Sequence, residues 1–229
     1  MKELSIIVPV LNEAAHLADW LAHLQPLRQR GVEIIVVDGG SEDDSPAMAA
    51  HWGARLLVSD RGRARQMNAG AGVAQGDILL FLHADTWLPS ADGGDSWVVA
   101  LAGSGRPWGR FAVRIQGRPW MLRVVAGMMN IRSCLTGIAT GDQAIFVRRE
   151  LFLQVGGFPD QPLMEDIALS RRLLRLSPPL CLSQRVTTSG RRWEKRGVWR
   201  TILLMWWLRW SYWRGVPASV LIKAYPSQH

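Results

Sequence analysis

Several absences limit what this 229-residue sequence can encode. No apolar run approaches the roughly 20 residues of a membrane-spanning helix, so we expect a protein that is soluble or lies on a surface. Met1 leads almost directly into a strand pattern without a signal-peptide leader, which predicts a cytoplasmic location. Cysteine is scarce, and Cys134 and Cys181 lack metal-binding spacing. The simplest expectation is a reduced pair.

Two phosphate-binding fingerprints are also missing. No G-x-G-x-x-G pattern follows the first predicted strand, which argues against a dinucleotide site, and there is no P-loop pattern. A globular composition, with 48% hydrophobic and 20% charged residues, argues against extensive disorder. The length suits a single α/β domain.

Positive charge is concentrated in the second half of the chain. Residues 1–100 carry 7 basic and 13 acidic side chains, residues 101–184 carry 11 and 5, and residues 185–229 carry 9 and 1. A basic end of this kind suits phosphate or an anionic membrane. We expect no nucleic-acid partner, because the basic residues follow no recognised binding motif and the first half is acidic.

The first hundred residues alternate between strand and helix patterns. The strands are LSIIVPV, VEIIVVD, ARLLVSD and DILLFLHAD; helix patterns separate them, one of them predicted to begin near Ser41. Such repeats form right-handed βαβ units, so we expect a mostly parallel sheet flanked by helices. The carboxyl ends of its strands are where ligands bind in open α/β sheets.

Polar residues follow three of these strands. Gly39 and Gly40 would let the backbone approach a ligand, and a helix opening near Ser41 would offer free N–H groups. His83 and Asp85 are predicted at the tip of the fourth strand. Without the surrounding motifs, His83 would be read as a strand-end residue bonded to a loop.

Five segments resemble, in order and spacing, the motifs of family 2 glycosyltransferases, which have the GT-A fold. They are SIIVPVLNE, IIVVDGGSEDDS, RARQMNAGAGVAQGDILLFLHADT, GDQAIFVRRELFLQVGGF and PLMEDIALSRRL, and the match runs from about residue 4 to residue 175. The His-Ala-Asp form is similar to a small bacterial subgroup described as arsenosugar-biosynthesis-type transferases. The resemblance implies an α/β fold with a single GT-A domain and a nucleotide-sugar donor, a UDP or GDP sugar.

The resemblance also implies roles for particular residues. Asp38 would bind the base, and Asp85 would be the metal-ligating aspartate of the D-x-D motif, with His83 where the first aspartate normally stands. One carboxylate can suffice for Mg²⁺ when phosphates supply the other ligands, and an imidazole favours Mn²⁺. The expected nucleotide-binding residues are Pro9, Asn12, Glu13, Asp38, Gly40, Ser41, Arg65, Asn68 and Ala84.

Asp166, beside Glu165, would be the catalytic base that takes a proton from the acceptor hydroxyl. The alternative is that this acidic pair only complements a helix dipole. Were the acceptor a lipid phosphate, already ionised, Asp166 would orient it instead. Expected acceptor-binding residues are Gly141, Asp142, Arg192 and Trp193; the last two match part of the Q-x-x-R-W motif of processive members. Because transmembrane helices are missing, we expect transfer of a single sugar.

The end of the chain is rich in tryptophan and arginine. Trp199, Leu203, Trp206, Trp210 and Trp213 recur at helical spacing. This pattern predicts an amphipathic extension over residues 198–229, after a GT-A domain over residues 1–197. The helix would either lie peripherally on the inner face of a membrane or pack on protein, including a homodimer partner. A non-catalytic sugar-nucleotide-binding protein and a basic nucleic-acid or membrane-surface binder remain alternative functions.

Overall fold

The computed structural model describes residues 3–89, 103 and 105–225. Within these residues eight strands form one sheet, in the order β3-β2-β1-β4-β7-β6-β8-β5. The strands are β1 (Leu4–Val10), β2 (Glu33–Asp38), β3 (Arg55–Val58), β4 (Ile78–Phe81), β5 (Thr86–Trp87), β6 (Trp108–Gln116), β7 (Ile145–Arg148) and β8 (Leu180–Ser189).

Helices cover both faces of this sheet. In the described part of the chain they are α1 (Ala14–Gln29), α2 (Ser45–His51), α3 (Arg63–Val73), α4 (Met121–Thr136), α5 (Arg149–Gln154), α6 (Glu165–Leu174), α7 (Arg191–Arg196), α8 (Val198–Trp213) and α9 (Ala218–Leu221). Two short 3₁₀ turns cover Gly141–Gln143 and Ile222–Ala224. None of the helices described here is both long and apolar enough to cross a membrane.

The first four strands form the parallel unit that the sequence predicts. β1 pairs in parallel with β2 and β4, and β2 pairs in parallel with β3. All six residues of β2 are buried, and the four between Glu33 and Asp38 form a continuous apolar run, as is typical of a strand covered on both faces. The parallel pairing brings the carboxyl ends of β1, β2 and β4 to one edge.

One close helix contact holds this unit together. A methyl group at Gly70 of α3 would lie 2.5 Å from Ile7 Cγ2 and 2.9 Å from Val37 Cγ2. Only glycine lets α3 approach β1 and β2 this closely. α3, which follows β3, is thereby fixed against the sheet.

The second half of the sheet is mixed. β7 lies antiparallel between β4 and β6, whereas β6 and β8 run parallel. β5, which follows directly after β4 in the chain, pairs antiparallel with β8 at the edge. Mostly parallel pairing therefore holds for the whole sheet, but the second half does not continue the simple βαβ pattern.

Two element boundaries differ from the expectation. α2 begins at Ser45, with Asp44 as its N-cap, and not near Ser41. Residues 41–44 instead form a turn whose side chains hold neighbouring loops. β4 ends at Phe81, so His83 and Asp85 lie in a turn beyond the strand, where the N–H of Thr86 donates to the carbonyl of His83 (3.0 Å).

The expectation of two reduced cysteines is wrong in this structure. Cys134 of α4 and Cys181 of β8 form a disulfide, with their Cα atoms 6.0 Å apart. The two residues are separated by 47 positions in sequence. They meet because α4 packs on β6, the strand beside β8, a tertiary contact that cysteine spacing does not reveal.

α8 packs on the domain through its inner face. Leu208 is fully buried, and Leu204 packs in the same cluster as Met164 and Ile167, which flank the acidic pair at the start of α6. The helix begins at Val198 and is described to its end. The division into a domain over residues 1–197 and an extension over residues 198–229 stays a prediction, since residues 226–229 lie outside the described residues.

Candidate active site

Two loops at the carboxyl edge of the sheet form one side of the candidate site. We call residues 10–15 and 38–45 the hydrogen-bonded loops, because several of their backbone N–H groups donate to side chains of the opposite loop or of their own. They follow β1 and β2, which pair in parallel and therefore end side by side. This is the edge at which open α/β sheets bind ligands.

Side chains of each loop hold the backbone of the other. The N–H of Asn12 donates to Ser41 Oγ (2.9 Å), and the N–H of Glu42 donates to Asn12 Oδ1 (2.9 Å). The N–H of Glu13 donates to Ser45 Oγ (2.9 Å). Asn12 has a positive φ of 54°, which asparagine tolerates better than most residues. The two loops are thus locked together.

Asp38 organises the second loop. Its carboxylate is buried and accepts the N–H of Gly40 (2.9 Å) and the N–H and hydroxyl of Ser41. The prediction of free N–H groups near Ser41 is therefore wrong, because the Ser41 N–H donates to the Asp38 carboxylate. Gly40 is exposed with a positive φ of 88°, so the backbone remains open to a ligand there.

Two residues of this edge escaped the sequence analysis. Asp43 accepts the N–H groups of Ala14 (2.9 Å) and Ser45 (3.0 Å), and so serves the starts of both α1 and α2. Gln66 is buried, and its Nε2 donates to the carbonyls of Val10 (2.9 Å) and Val37 (2.8 Å). The acidic residues that follow β2 are a sequence signal for Asp43, whereas no local pattern marks Gln66.

Asp85 lies near Glu13 of the first loop. Burial and then the negative charge of Asp85 raise the pKa of Glu13, while Arg191 acts in the opposite direction. The Thr86 hydroxyl lies 3.3 Å from Asp85 Oδ1. Ala84 is buried between the two polar residues of the turn.

These carboxylates fit a divalent cation that takes only a few protein ligands. The described residues contain no group of three or more His, Cys, Asp or Glu side chains arranged to hold an ion by themselves. The charge of Asp85 disfavours ionisation of Glu13, and a cation placed between these two carboxylates would offset that effect. Oxygen ligands from a diphosphate would have to complete the shell, as is usual for Mg²⁺.

His83 faces a different carboxylate. Its Nδ1 lies 3.6 Å from Asp142 Oδ1, and its ring packs so tightly on Gly141 that a methyl group there would lie 2.5 Å from Cε1. We call Arg63, His83, Asp142, Glu165 and Asp166 the charged cluster. The role of His83 as a metal ligand stays a prediction.

Asp166 is the central residue of the charged cluster. Its Oδ2 accepts the N–H of Gly141 (2.9 Å) and its Oδ1 accepts the N–H of Ile167 (2.7 Å). Burial, and then the charge of Glu165, raise the pKa of Asp166 to about 6 despite these hydrogen bonds. Apolar side chains, including Phe81 and Phe158, line a cavity of only about 10 Å³ beside it, which explains the desolvation.

Asp142 shows the opposite behaviour. Partial desolvation by the surrounding protein would raise its pKa, but the nearby His83, with Arg192 and Arg63, outweighs it and lowers the pKa to about 2. Asp142 is therefore ionised under all ordinary conditions. Its negative charge is one of the influences that keep the pKa of Asp166 high.

Arginines balance the acidic pair. Arg63 Nη1 lies 3.9 Å from Oε1 of the buried Glu165, and although desolvation opposes it, this carboxylate raises the pKa of Arg63. Burial lowers the pKa of Arg132, with Asp166 acting against it. Nε and Nη2 of Arg132 are buried without a hydrogen-bond partner among the described residues.

Four predicted site residues have other partners. Arg65 Nε contacts both oxygens of Asp160 (2.9 and 3.1 Å), and Asn68 exchanges two hydrogen bonds with the backbone of Phe158. The guanidinium of Arg192 lies 5.1 Å from the ring centre of Tyr225. Trp193 packs against the hydrophobic core. Pro9, in β1, is partly exposed at the edge.

Comparison with known proteins is consistent with this geometry. A family model described as Glycosyl transferase family 2 matches residues 5–92. A PGL/p-HBAD biosynthesis glycosyltransferase from Mycobacterium tuberculosis is 33% identical over 165 residues, which cover 67% of this chain and 62% of that protein. The chain therefore spans less than two thirds of the length of this relative.

Solved structures show the same fold. A mannosyltransferase from Pyrobaculum calidifontis, in complex with GDP-Man and Mn²⁺, superposes with a TM-score of 0.65 at 22% identity, covering 91% of this chain and 61% of that one. Glucosyl-3-phosphoglycerate synthase from Mycobacterium tuberculosis, in complex with Mg²⁺ and UDP, gives 0.60 at 21% identity, covering 82% and 70%. These likenesses confirm the predicted α/β fold of the GT-A type.

Proposed function

Because the chain belongs to glycosyl transferase family 2, we propose that it transfers a single sugar from a nucleotide-sugar donor to an acceptor, with inversion at the anomeric carbon. The donor is a UDP or GDP sugar. The observation that carries the proposal is Asp166, a carboxylate whose pKa is raised to about 6 and which lines a small cavity with His83, the residue that follows β4 at the carboxyl edge of the sheet.

The hydrogen-bonded loops bind the nucleotide in this proposal. Asp38 receives the base, and the open backbone at Gly40 borders it. Asn12 and Glu13 supply the neighbouring wall. Support comes from the way these loops are held, because a rigid site loses little conformational entropy when it binds a ligand. Arg65 and Asn68 contribute by fixing the segment around α3, since their side chains have protein partners.

Mn²⁺ or Mg²⁺ is the proposed cofactor, with Asp85 and His83 as the residues that would hold it. The mannosyltransferase was solved with Mn²⁺ and the synthase with Mg²⁺. Such an ion acts as a Lewis acid that stabilises charge on a leaving diphosphate. Asp85 helps to raise the pKa of Glu13, so a cation bound here would favour the ionised form of Glu13.

The charged cluster carries out the chemistry. The acceptor oxygen forms a bond to the anomeric carbon from one face while the bond to the diphosphate oxygen breaks on the other, which inverts the centre. Asp166 takes the hydroxyl proton, and a pKa near the working pH is what general base catalysis requires. With a lipid phosphate as acceptor, no proton needs to move and Asp166 orients the acceptor.

Other residues of the charged cluster prepare this base. Glu165 and Asp142 keep the pKa of Asp166 high through their negative charge. Arg63 balances Glu165. The Gly141 N–H fixes the carboxylate orientation (2.9 Å). Arg192 and Trp193, together with Gly141 and Asp142, are the proposed acceptor-side residues.

The test is ligand-induced thermal stabilisation. UDP, GDP and their sugar conjugates are each added with and without Mn²⁺, and we expect one nucleotide to raise the melting temperature more when the metal is present. Release of the matching nucleoside diphosphate from the sugar conjugate then tests catalysis. Stabilisation without any release or transfer, across a panel of hydroxyl and lipid-phosphate acceptors, would leave a non-catalytic binding protein and contradict the proposal.

A further inference from the structure

The outer face of α8 is unusually apolar for an exposed surface. Six large apolar side chains on this helix are between 48% and 68% exposed: Trp199, Leu203, Trp206, Trp207, Trp210 and Trp213. At about 100° per residue they fall within an arc of roughly 120° on one side of the helix. Exposed apolar patches of this kind mark interaction sites more often than single exposed residues do.

Buried residues on the opposite face of α8 explain why the tryptophan face is exposed. Thr201, Leu208 and Ser211 are buried, and Leu208 packs with Met164 and Ile167 of the domain. The helix is therefore held by its inner face, leaving the tryptophan face directed away from the core. No rotation that keeps Leu208 buried would bury the tryptophans as well.

Charge in the region of this face is predominantly positive. The segment Val198–Trp213 contains no acidic residue, and residues 185–229 contain nine basic side chains and one acidic one. Arg200 and Arg214 of this region are exposed, and the Arg214 guanidinium lies 5.5 Å from the ring centre of Trp210. Rings next to guanidinium groups suit the boundary between acyl chains and lipid phosphate.

We propose that α8 docks on an anionic membrane surface, with its tryptophan face in the headgroup region and its arginines on lipid phosphates. A second copy of the chain fits this face less well, because a two-fold contact would bring like-charged arginines together without acidic partners on the helix. This last step rests on the proposed function: docking would bring the acidic pair, which Met164 and Ile167 flank, near lipid-linked acceptors.

Vesicle co-sedimentation tests the docking without any assay of transfer. The full chain is mixed with vesicles of phosphatidylcholine alone or of equal parts phosphatidylcholine and phosphatidylglycerol. We expect strong binding to the anionic vesicles, and about tenfold or greater weakening in a Trp206→Ser, Trp210→Ser variant. A matched Val58→Ser, Leu153→Ser variant loses two other exposed apolar side chains and should bind like the wild type.

An Arg200→Gln, Arg214→Gln variant tests the contribution of charge. It should bind the anionic vesicles more weakly, and most of the difference between its binding to anionic and to neutral vesicles should disappear. Equal sedimentation of the wild type and the tryptophan variant, or no vesicle binding at all, would overturn the proposal. So would a wild-type dimer in analytical ultracentrifugation that the tryptophan variant converts to monomer without any change in vesicle binding. Nucleotide-induced stabilisation of the tryptophan variant separates this outcome from a failure of the proposed function.

Discussion

The hydrogen-bonded loops and the charged cluster lie at the same edge of the sheet but are held by different interactions. In the loops, side chains such as Asn12, Ser41 and Asp43 satisfy backbone N–H groups at 2.9–3.0 Å. In the charged cluster, carboxylates meet imidazole and guanidinium groups at 3.6 and 3.9 Å. The first side is locked by directional bonds, and the second is balanced by opposing charges.

This difference separates binding from chemistry. Hydrogen bonds from backbone N–H groups to the side chains of Asn12, Ser41 and Asp43 fix the geometry of the loops, and those to Asp43 lower its pKa and so favour the ionised acceptor; this suits a site that must hold a nucleotide. Opposed charges in a desolvated region shift pKa values in both directions, to about 6 for Asp166 and about 2 for Asp142. On the charged side, Asp166 is therefore a carboxylate that can accept a proton near pH 6.

The sharpest way to separate the two sides is Asp166→Asn. Removing the base should lower the transfer rate by roughly 10²–10⁴-fold, because proton transfer contributes about this much to such reactions. Nucleotide affinity, measured by titration, should stay within about twofold of wild type, since an isosteric amide removes no nucleotide contact. A variant with the full transfer rate would show that Asp166 is not the base.

Asp85→Ala tests the point where the two sides meet. We expect the metal-dependent part of nucleotide affinity to fall by roughly 10–100-fold, because few protein ligands remain to hold the ion. Titration of UDP and GDP with and without Mn²⁺ measures it. Asp160→Ala is the matched control, because that exposed carboxylate pairs with Arg65 and is not part of the proposed metal site. Equal metal enhancement in all three proteins would contradict the metal site.

Gly70→Ala probes the packing that supports the loops. The added methyl group would collide with Ile7 and Val37, so we expect a loss of about 1–3 kcal/mol in the free energy of unfolding. Gly72→Ala on the same helix meets no atom within 4 Å and should be neutral or stabilising by up to about 1 kcal/mol. Denaturant unfolding compares the two, and equal stabilities would show that α3 can move away from the sheet.

The smallest effect concerns pH. Transfer requires ionised Asp166, so the rate should rise with pH through about 6 and then level off. Glu165→Gln removes a negative charge that raises the pKa of Asp166, and the rising limb should therefore move to lower pH. A pH–rate profile of both proteins detects the change. A shift of the rising limb to higher pH in Glu165→Gln would contradict the proposal that the charge of Glu165 raises the pKa of Asp166.

Sequence reasoning succeeded where structure follows from local pattern. Apolar patterns in the sequence predict buried strands such as Glu33–Asp38. The acidic residues at the start of α6 indicate the helix that begins at Glu165. The carboxyl edge then follows from parallel pairing, and with it the closeness of the loops after β1 and β2.

The remaining features depend on contacts between residues far apart in the chain. The Cys134–Cys181 disulfide, the antiparallel insertion of β7 and the contact of His83 with Asp142 each join separate segments. The start of α2 was misplaced because Asp38 takes the Ser41 amide that a helix would otherwise use. Side-chain competition of this kind leaves no periodic signal in the sequence.

The most direct test of the division between the two sides is nucleotide titration in the presence of Mn²⁺ for wild type, Asp38→Ala and Asp166→Asn. Binding by the hydrogen-bonded loops predicts about tenfold or greater weakening in Asp38→Ala, because both a base contact and the loop's own anchor are lost. Asp166→Asn should bind like the wild type. The opposite pattern, with Asp38→Ala unchanged and Asp166→Asn weakened, would show that the nucleotide lies on the charged side and would contradict the account.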